Sequence, residues 1–173
     1  MSQIDIDTTL KTMAGQIDRH IQSLAPDTMP VMVGIHSGGV WIARRLHELL
    51  GLEAPLGELD ISFYRDDFTR IGINPQVKPS KLPVEIDDRH IILVDDVLHT
   101  GRTIRAALNE LFDYGRPSSV ALAVLIDRGG RELPIEANFV GQRMTLAPGQ
   151  NVKLQGPEPL TLIVADKQPS PAS

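Results

Sequence analysis

Three continuously apolar segments constrain the fold of this chain more than any other feature. They cover residues 31 to 35, 91 to 94 and 120 to 126. Segments of this length that are apolar on both faces are typical of strands in a parallel sheet buried between helices. Helical patterns at residues 40 to 50 and 103 to 114 lie between them, and each is followed by a glycine. The sequence therefore predicts an α/β fold with a mostly parallel central sheet flanked by helices.

Further elements precede and follow this alternation. Apolar residues recur at helical spacing from Ile6 to Leu24 and predict an amphipathic N-terminal helix. Short alternating or apolar runs predict strands at residues 59 to 63, 138 to 141, 152 to 154 and 160 to 164. We expect one domain over residues 1 to 166 and a disordered tail over residues 167 to 173, where apolar residues are scarce.

Polar turns follow the three apolar segments. They cover residues 36 to 39, 95 to 103 and 127 to 131. Parallel sheets bind their ligands at the carboxyl ends of the strands, which lie along one edge. We therefore expect these three turns to form one site.

The turn at residues 95 to 103 carries the strongest functional signal. Asp95 and Asp96 follow the apolar run directly, and residues 100 to 103, Thr-Gly-Arg-Thr, lead into a helix. Amide groups at a helix start, together with threonine hydroxyls, bind phosphate, and carboxylates bind sugar hydroxyls or a metal ion. The turn therefore predicts a site for a phosphorylated sugar. The alternative is an acidic strand end followed by a capped helix.

Composition limits the classes of protein to which the chain can belong. Of its 173 residues 42% are hydrophobic and none is cysteine, which excludes disulfides and thiolate metal sites. No apolar run approaches the ~20 residues that span a bilayer. The first residues show no basic segment followed by an apolar one, so we expect no signal peptide and a cytoplasmic protein. The net charge of -5 argues against a general nucleic-acid coating protein.

Residues 94 to 103, Val-Asp-Asp-Val-Leu-His-Thr-Gly-Arg-Thr, resemble the phosphoribosyl pyrophosphate (PRPP) signature of the type I phosphoribosyltransferases. Further segments extend the resemblance to the PyrR family, pyrimidine operon regulators that are also uracil phosphoribosyltransferases. These segments are residues 33 to 35, 42 to 46, 64 to 67, 115 to 119 and 122 to 135. The resemblance implies the type I phosphoribosyltransferase fold with a flexible hood loop. It also implies the reaction of uracil with PRPP to give UMP and diphosphate.

The resemblance assigns roles to the residues of the signature. Asp95 and Asp96 are expected to be catalytic and to face the ribose hydroxyls, directly or as ligands of Mg²⁺. Mg²⁺ usually needs only one or two carboxylates besides substrate oxygens. The 5'-phosphate is expected to bind at His99, Thr100, Gly101, Arg102 and Thr103.

Two other segments are expected to meet the diphosphate. The first is the turn Ser37, Gly38 and Gly39, where the resemblance implies a cis peptide between His36 and Ser37. Many family members carry a basic residue and Thr-Arg-Gly here, so this chain lacks an arginine that they have near the diphosphate. The second is the long polar segment at residues 64 to 88, which we expect to be a lid, with Arg65 as a catalytic residue that contacts the diphosphate.

The base is expected to bind at the third turn, where the resemblance makes Asp127 and Arg128 the wall of a uracil pocket. A plain turn is the alternative. His99 has two interpretations: it accepts the N1 proton of uracil, or it is a polar loop residue that only contacts the ribose.

The resemblance also implies binding of a messenger RNA hairpin, which needs a basic face. The first helix contains only Lys11, Arg19 and His20, Glu136 stands where RNA-binding relatives have arginine, and Arg131 remains. This charge pattern argues against RNA binding. Two alternatives stay open. One is a regulator without catalysis that senses UMP or PRPP and acts on an RNA hairpin or a protein partner. The other is a transferase for a purine base, against which the aromatic content of 4% argues. We expect a homodimer or homotetramer and no membrane contact.

Overall fold

The computed structural model describes residues 4–26, 30–61 and 80–166. Five strands form one sheet in the order β2-β1-β3-β4-β5, all parallel, and β6 pairs antiparallel with β7 as a separate hairpin. The elements are α1 (Ile6–Gln22), β1 (Val31–Ile35), α2 (Gly38–Leu50), β2 (Gly57–Leu59), β3 (His90–Leu98), α3 (Arg102–Tyr114), β4 (Ser119–Asp127), β5 (Phe139–Arg143), β6 (Gln150–Gln155) and β7 (Thr161–Asp166). The predicted α/β fold with a parallel central sheet is confirmed.

Both faces of the sheet are buried. On one face α1 and α2 pack on strand residues such as Met32, Ile92 and Val94, and residues of β6 join the same cluster. On the other face α3 packs on the alternate residues, such as Val33 and Leu93. Side chains of a strand point alternately to its two sides, so the continuously apolar segments supply both clusters. This explains why those segments carry no polar alternation.

Tight local contacts fix the helices on the sheet. The carboxylate of Asp5 accepts the Thr8 N–H at 3.1 Å and caps α1. A Cβ on Gly34 of β1 would lie 2.8 Å from the Val40 Cα, so glycine at this position lets α2 pack closely on β1. α2 ends at Gly51, whose φ of 60° is left-handed. The start of α2 therefore lies close against β1.

Several strand boundaries differ from the sequence-based expectation, and two of the differences bear on the site. β3 does not stop at Asp95 but continues to Leu98, because its ladder with β4 pairs Val97 with Ile126 and Leu98 with Asp127. The two acids therefore lie within the strand. The strand predicted at residues 59 to 63 overlaps β2 only at Leu59: β2 covers Gly57–Leu59, and its last residue pairs with the end of β1. Residues 62 and 63 lie outside the described residues.

Some expectations fall on residues that are not described. Arg65 and most of the expected lid lie outside the described residues, as does the expected tail. Within the ranges that are described, no helix is long and apolar enough to cross a membrane.

Candidate active site

Asp95 and Asp96 are adjacent in β3, and their side chains have different environments. Asp95 is 5% exposed, whereas Asp96 is half-buried. The Asp96 N–H donates to Asp95 Oδ1 at 2.8 Å, and the Val97 N–H donates to Asp96 Oδ1 at 2.8 Å. Burial raises the pKa of the Asp95 carboxyl well above its ordinary value, and the neighbouring Asp96 carboxylate raises it further. The pair thus offers one deep carboxyl group and one more accessible carboxylate.

The turn between β1 and α2 lies against this pair. The His36–Ser37 peptide bond is cis, as expected from the sequence. Gly38 is so close to Asp96 that a Cβ would overlap the carboxylate, and a Cβ on Gly39 would lie 2.6 Å from the Val94 carbonyl oxygen. Glycine at both positions is what allows this approach. The first and second of the three predicted turns are therefore neighbours.

Two basic side chains beside this turn share one acid that sequence reasoning did not single out. His36 Nε2 lies 2.8 Å from Glu58 Oε1 on β2, and Arg44 Nη2 of α2 lies 3.6 Å from Glu58 Oε2. Glu58 pairs with Gly34 in the β1–β2 register. Because that pairing is remote in sequence, no local pattern could have identified Glu58.

The start of α3 has the features of an anion site. Gly101 is the N-cap residue with a left-handed φ of 94°, and it has no side chain to cover the helix end. The Thr100 hydroxyl accepts the Arg102 N–H at 3.2 Å, and Thr103 is exposed. The Arg102 side chain donates instead to Glu132 Oε1 at 2.7 Å. The polar groups at this end of the helix are therefore backbone N–H groups and threonine hydroxyls.

Asp127, at the end of β4, is buried and held by protein groups. Its Oδ2 accepts hydrogen bonds from Arg131 at 2.6 Å and Arg143 at 3.0 Å, and its Oδ1 accepts the Gly129 N–H at 3.0 Å. Burial raises the pKa of the carboxyl, but the hydrogen bonds from Arg131 and from the Gly129 N–H outweigh it, so the pKa is lowered. This carboxylate braces the third turn.

The side chain of Arg128 extends from that turn toward β6, and His99 packs against the same turn. The Arg128 guanidinium donates to Asn151 Oδ1 at 3.0 Å and to the Gln150 carbonyl at 3.3 Å, and so lies along the start of β6. The imidazole of His99 lies over Gly130: a Cβ there would be 2.9 Å from the ring Cδ2 and Nε2 atoms. The second and third turns are therefore also in contact.

The residues at this edge suit a divalent cation bound largely by substrate. Within residues 4–26, 30–61 and 80–166, no three acids or histidines group as a metal site. Mg²⁺ is often held by one or two carboxylates together with substrate phosphates and water, and Asp96 is the accessible carboxylate at this edge. The donor set therefore fits a Mg²⁺ ion that arrives with a phosphorylated ligand.

Comparison with known proteins agrees with this architecture. The sequence profile of the phosphoribosyl transferase domain matches residues 4–156. The chain is 57% identical over 164 residues to the Bifunctional protein PyrR of Pseudomonas paraeruginosa, covering 95% of each protein. It is 56% identical over 159 residues to the protein of the same name from Nitrosococcus oceani, covering 91% of this chain and 89% of that one.

Solved structures share the fold at low sequence identity. The hypoxanthine phosphoribosyltransferase of Trypanosoma cruzi superposes with a TM-score of 0.66 and 18% identity, covering 94% of this chain and 93% of that one. The Leishmania tarentolae HGPRT-ase in complex with GMP gives a TM-score of 0.62 and 17% identity, covering 82% and 78%. At these identities the likeness establishes the fold and leaves the base open.

Proposed function

The chain belongs to the phosphoribosyl transferase domain family and, within it, to the PyrR proteins, and we propose that it is a uracil phosphoribosyltransferase. Its reaction joins uracil to PRPP and yields UMP and diphosphate. The bond from uracil N1 to ribose C1 forms as the C1–oxygen bond to diphosphate breaks, and the N1 proton is lost. The observation that carries the proposal is the meeting of three strand ends, in which Gly38 contacts Asp96 and Gly130 lies under His99.

Each strand end supplies one part of the ligand site. The N–H groups and hydroxyls at residues 100 to 103 bind the 5'-phosphate, because no side chain of the N-cap residue Gly101 caps this helix end. Residues 37 to 39 hold the diphosphate beside Asp96, and Arg44, whose guanidinium lies 3.6 Å from Glu58 Oε2, supplies a positive charge near this turn. Arg44 offers a replacement for the arginine that many relatives carry in this turn.

The acids act on the ribose. Asp96 accepts from a ribose hydroxyl or would hold Mg²⁺, and Asp95 braces it from the buried side, where its Oδ1 accepts the Asp96 N–H at 2.8 Å. A Mg²⁺ ion held there would supply charge neutralisation for the leaving diphosphate. Positive charge develops at C1 as the bond breaks, and a nearby carboxylate stabilises it.

Uracil binds against the backbone of residues 127 to 131, which Asp127 braces from behind. The Arg128 side chain holds this wall to β6 through Asn151. We call residues 95 to 103 the phosphate turn and residues 127 to 131 the base turn. His99, over Gly130, lies at the junction of these two turns. Arg65 is proposed to contact the diphosphate.

RNA binding is not part of this proposal. The Arg131 guanidinium, which sequence reasoning retained as a candidate phosphate contact, donates to Ile135, His99 and Asp127 inside the protein.

Self-association as a homodimer or homotetramer is proposed, with Phe112 and Tyr114 on α3 as exposed apolar candidates for the contact. Multi-angle light scattering tests that part directly.

The reaction is tested by incubating the protein with radiolabelled uracil, PRPP and Mg²⁺ and separating labelled UMP. Formation of UMP, and of diphosphate in equal amount, supports the transferase. Tight UMP binding without any product would refute the enzyme and leave the nucleotide sensor.

A further inference from the structure

The turn after β4 is joined to the turn after β3 by backbone hydrogen bonds. The Leu98 carbonyl accepts the Arg128 N–H at 3.1 Å. The Thr100 carbonyl accepts the N–H groups of Glu132 and Leu133 at 2.9 and 3.1 Å. The carbonyls of the phosphate turn thus point toward the base turn. We call this set of contacts the seam between residues 98–100 and residues 128–133.

Arg131 closes the one gap in the seam with its side chain. The His99 carbonyl, between Leu98 and Thr100, accepts from Arg131 Nη1 at 2.9 Å. The same guanidinium donates through Nη2 to Asp127 at 2.6 Å and through Nε to the Ile135 carbonyl at 2.7 Å. The side chain is 22% exposed. One planar group therefore ties together the phosphate turn, the end of β4 and Ile135, which lies beyond the base turn.

We infer that Arg131 is a positioning residue that sets the spacing between the 5'-phosphate site and the base site. This inference rests on the proposed function. UMP must bind with its phosphate at residues 100 to 103 and its base at residues 127 to 131, so its affinity depends on that spacing. Ribose 5-phosphate uses only the phosphate and ribose parts. A change in spacing therefore weakens UMP and spares ribose 5-phosphate.

The backbone hydrogen bonds of the seam explain why UMP should be weakened and ribose 5-phosphate spared. Without Arg131 the Thr100 carbonyl still has its two N–H donors, and Thr100 Oγ1 still accepts from Arg102. The phosphate turn therefore keeps its shape. The base turn keeps its backbone bonds at Arg128, Glu132 and Leu133. It loses the three side-chain links of Arg131 at once, so the residues between those backbone anchors, at the base end of the site, are the ones that shift.

The test is calorimetric titration of wild type, Arg131→Ala and Arg131→Lys with UMP and, separately, with ribose 5-phosphate. We expect both variants to bind UMP about tenfold or more weakly, the equivalent of at least one lost hydrogen bond, and ribose 5-phosphate within about twofold of wild type. Lysine keeps the charge but has one nitrogen in place of the planar fork. A loss in Arg131→Lys therefore reports geometry, and this variant carries the test if the alanine variant does not fold.

Arg143→Ala is the matched control. Arg143 donates to the same Asp127 oxygen at 3.0 Å, but its side chain is 74% exposed and it extends from β5. Its removal should leave UMP affinity within about twofold. If both Arg131 variants bind UMP as wild type does, or lose UMP and ribose 5-phosphate equally, the positioning role is refuted. If the wild type binds no UMP, the proposed function fails as well.

Discussion

Gly38 lies against the carboxylate of Asp96, with no room for a β-carbon between them. The contact joins the turn after β1 to the acids of β3, which are neighbouring parallel strands. In the proposed reaction this contact places the diphosphate beside the carboxylate that acts on the ribose. Substitutions at this contact therefore test the site more directly than changes at its edge.

Gly38→Ala should lower kcat/KM for PRPP by roughly 100-fold, since small misplacements of reacting groups have effects of this size. The added methyl group must displace the Asp96 carboxylate, whose Oδ1 also accepts the Val97 N–H. Steady-state kinetics with varied PRPP measure the loss. Gly15→Ala is the matched control, because Gly15 also lies in a helix and a Cβ added there would meet no atom within 4 Å. It should keep full activity and gain about 0.5–1 kcal/mol of stability; equal losses in both variants would contradict the role of the contact.

Asp95→Asn and Asp96→Asn should separate stability from catalysis. Burial and the Asp96 charge raise the pKa of Asp95, so removing its charge should raise the melting temperature of the ligand-free protein while activity falls. Asp96 is half-buried, so its amide variant should melt near wild type and lose ~100-fold in kcat. Differential scanning calorimetry and initial rates give both quantities. A destabilised Asp95→Asn protein would argue that the charge on Asp95 is needed for folding.

Asp127 should stabilise the fold in a pH-dependent way. Its pKa in the folded protein lies below the ordinary value of 3.8, so the stabilisation is complete above that value and is lost as pH falls through the folded pKa. Asp127→Asn should cost about 2 kcal/mol at pH 7, because charged hydrogen bonds to Arg131 and Arg143 are lost. Urea unfolding from pH 7 down to pH 3 should show the difference from wild type shrinking. A difference that is independent of pH would contradict this.

Gly130→Ala should impair transfer more than Gly129→Ala, although both residues have positive φ angles, 77° and 71°. Only at Gly130 would the methyl group meet the His99 ring, at 2.9 Å. The shared backbone cost cancels in the comparison, so the remaining difference reports on His99. We expect about tenfold between the two variants in kcat/KM for uracil. Adding His99→Ala to each should abolish the difference; its persistence would exclude His99 as the cause.

The sequence was sufficient to predict the sheet because its three long apolar strands carry the burial pattern of both faces. The same logic brought three polar segments to one edge, because β1, β3 and β4 are neighbours in the sheet; the roles of their residues in binding stay predictions. The end of β3 was misplaced because Asp95 and Asp96 interrupt the apolar run, while the ladder to β4 continues beyond them. Polar residues that follow an apolar run can therefore still belong to the strand.

Side-chain bridges between distant segments could not be predicted in the same way. Glu58 meets His36 only through the pairing of β1 with β2. Arg131 meets the His99 carbonyl across 32 positions, and a backbone carbonyl leaves no mark in the sequence. The one local signal was that Arg131 follows Asp127 by four residues. That spacing predicts a side-chain contact only within a helix, and these residues form a turn.

The most direct test of the central claim compares initial rates of nucleotide formation from uracil and from hypoxanthine, each with PRPP and Mg²⁺, in wild type and Asp96→Asn. We predict UMP as the main product, with a rate that falls ~100-fold in the variant, and little or no product from hypoxanthine. Preferential formation of IMP, or UMP formation unaffected by Asp96→Asn, would contradict the proposed reaction and the assignment of its site.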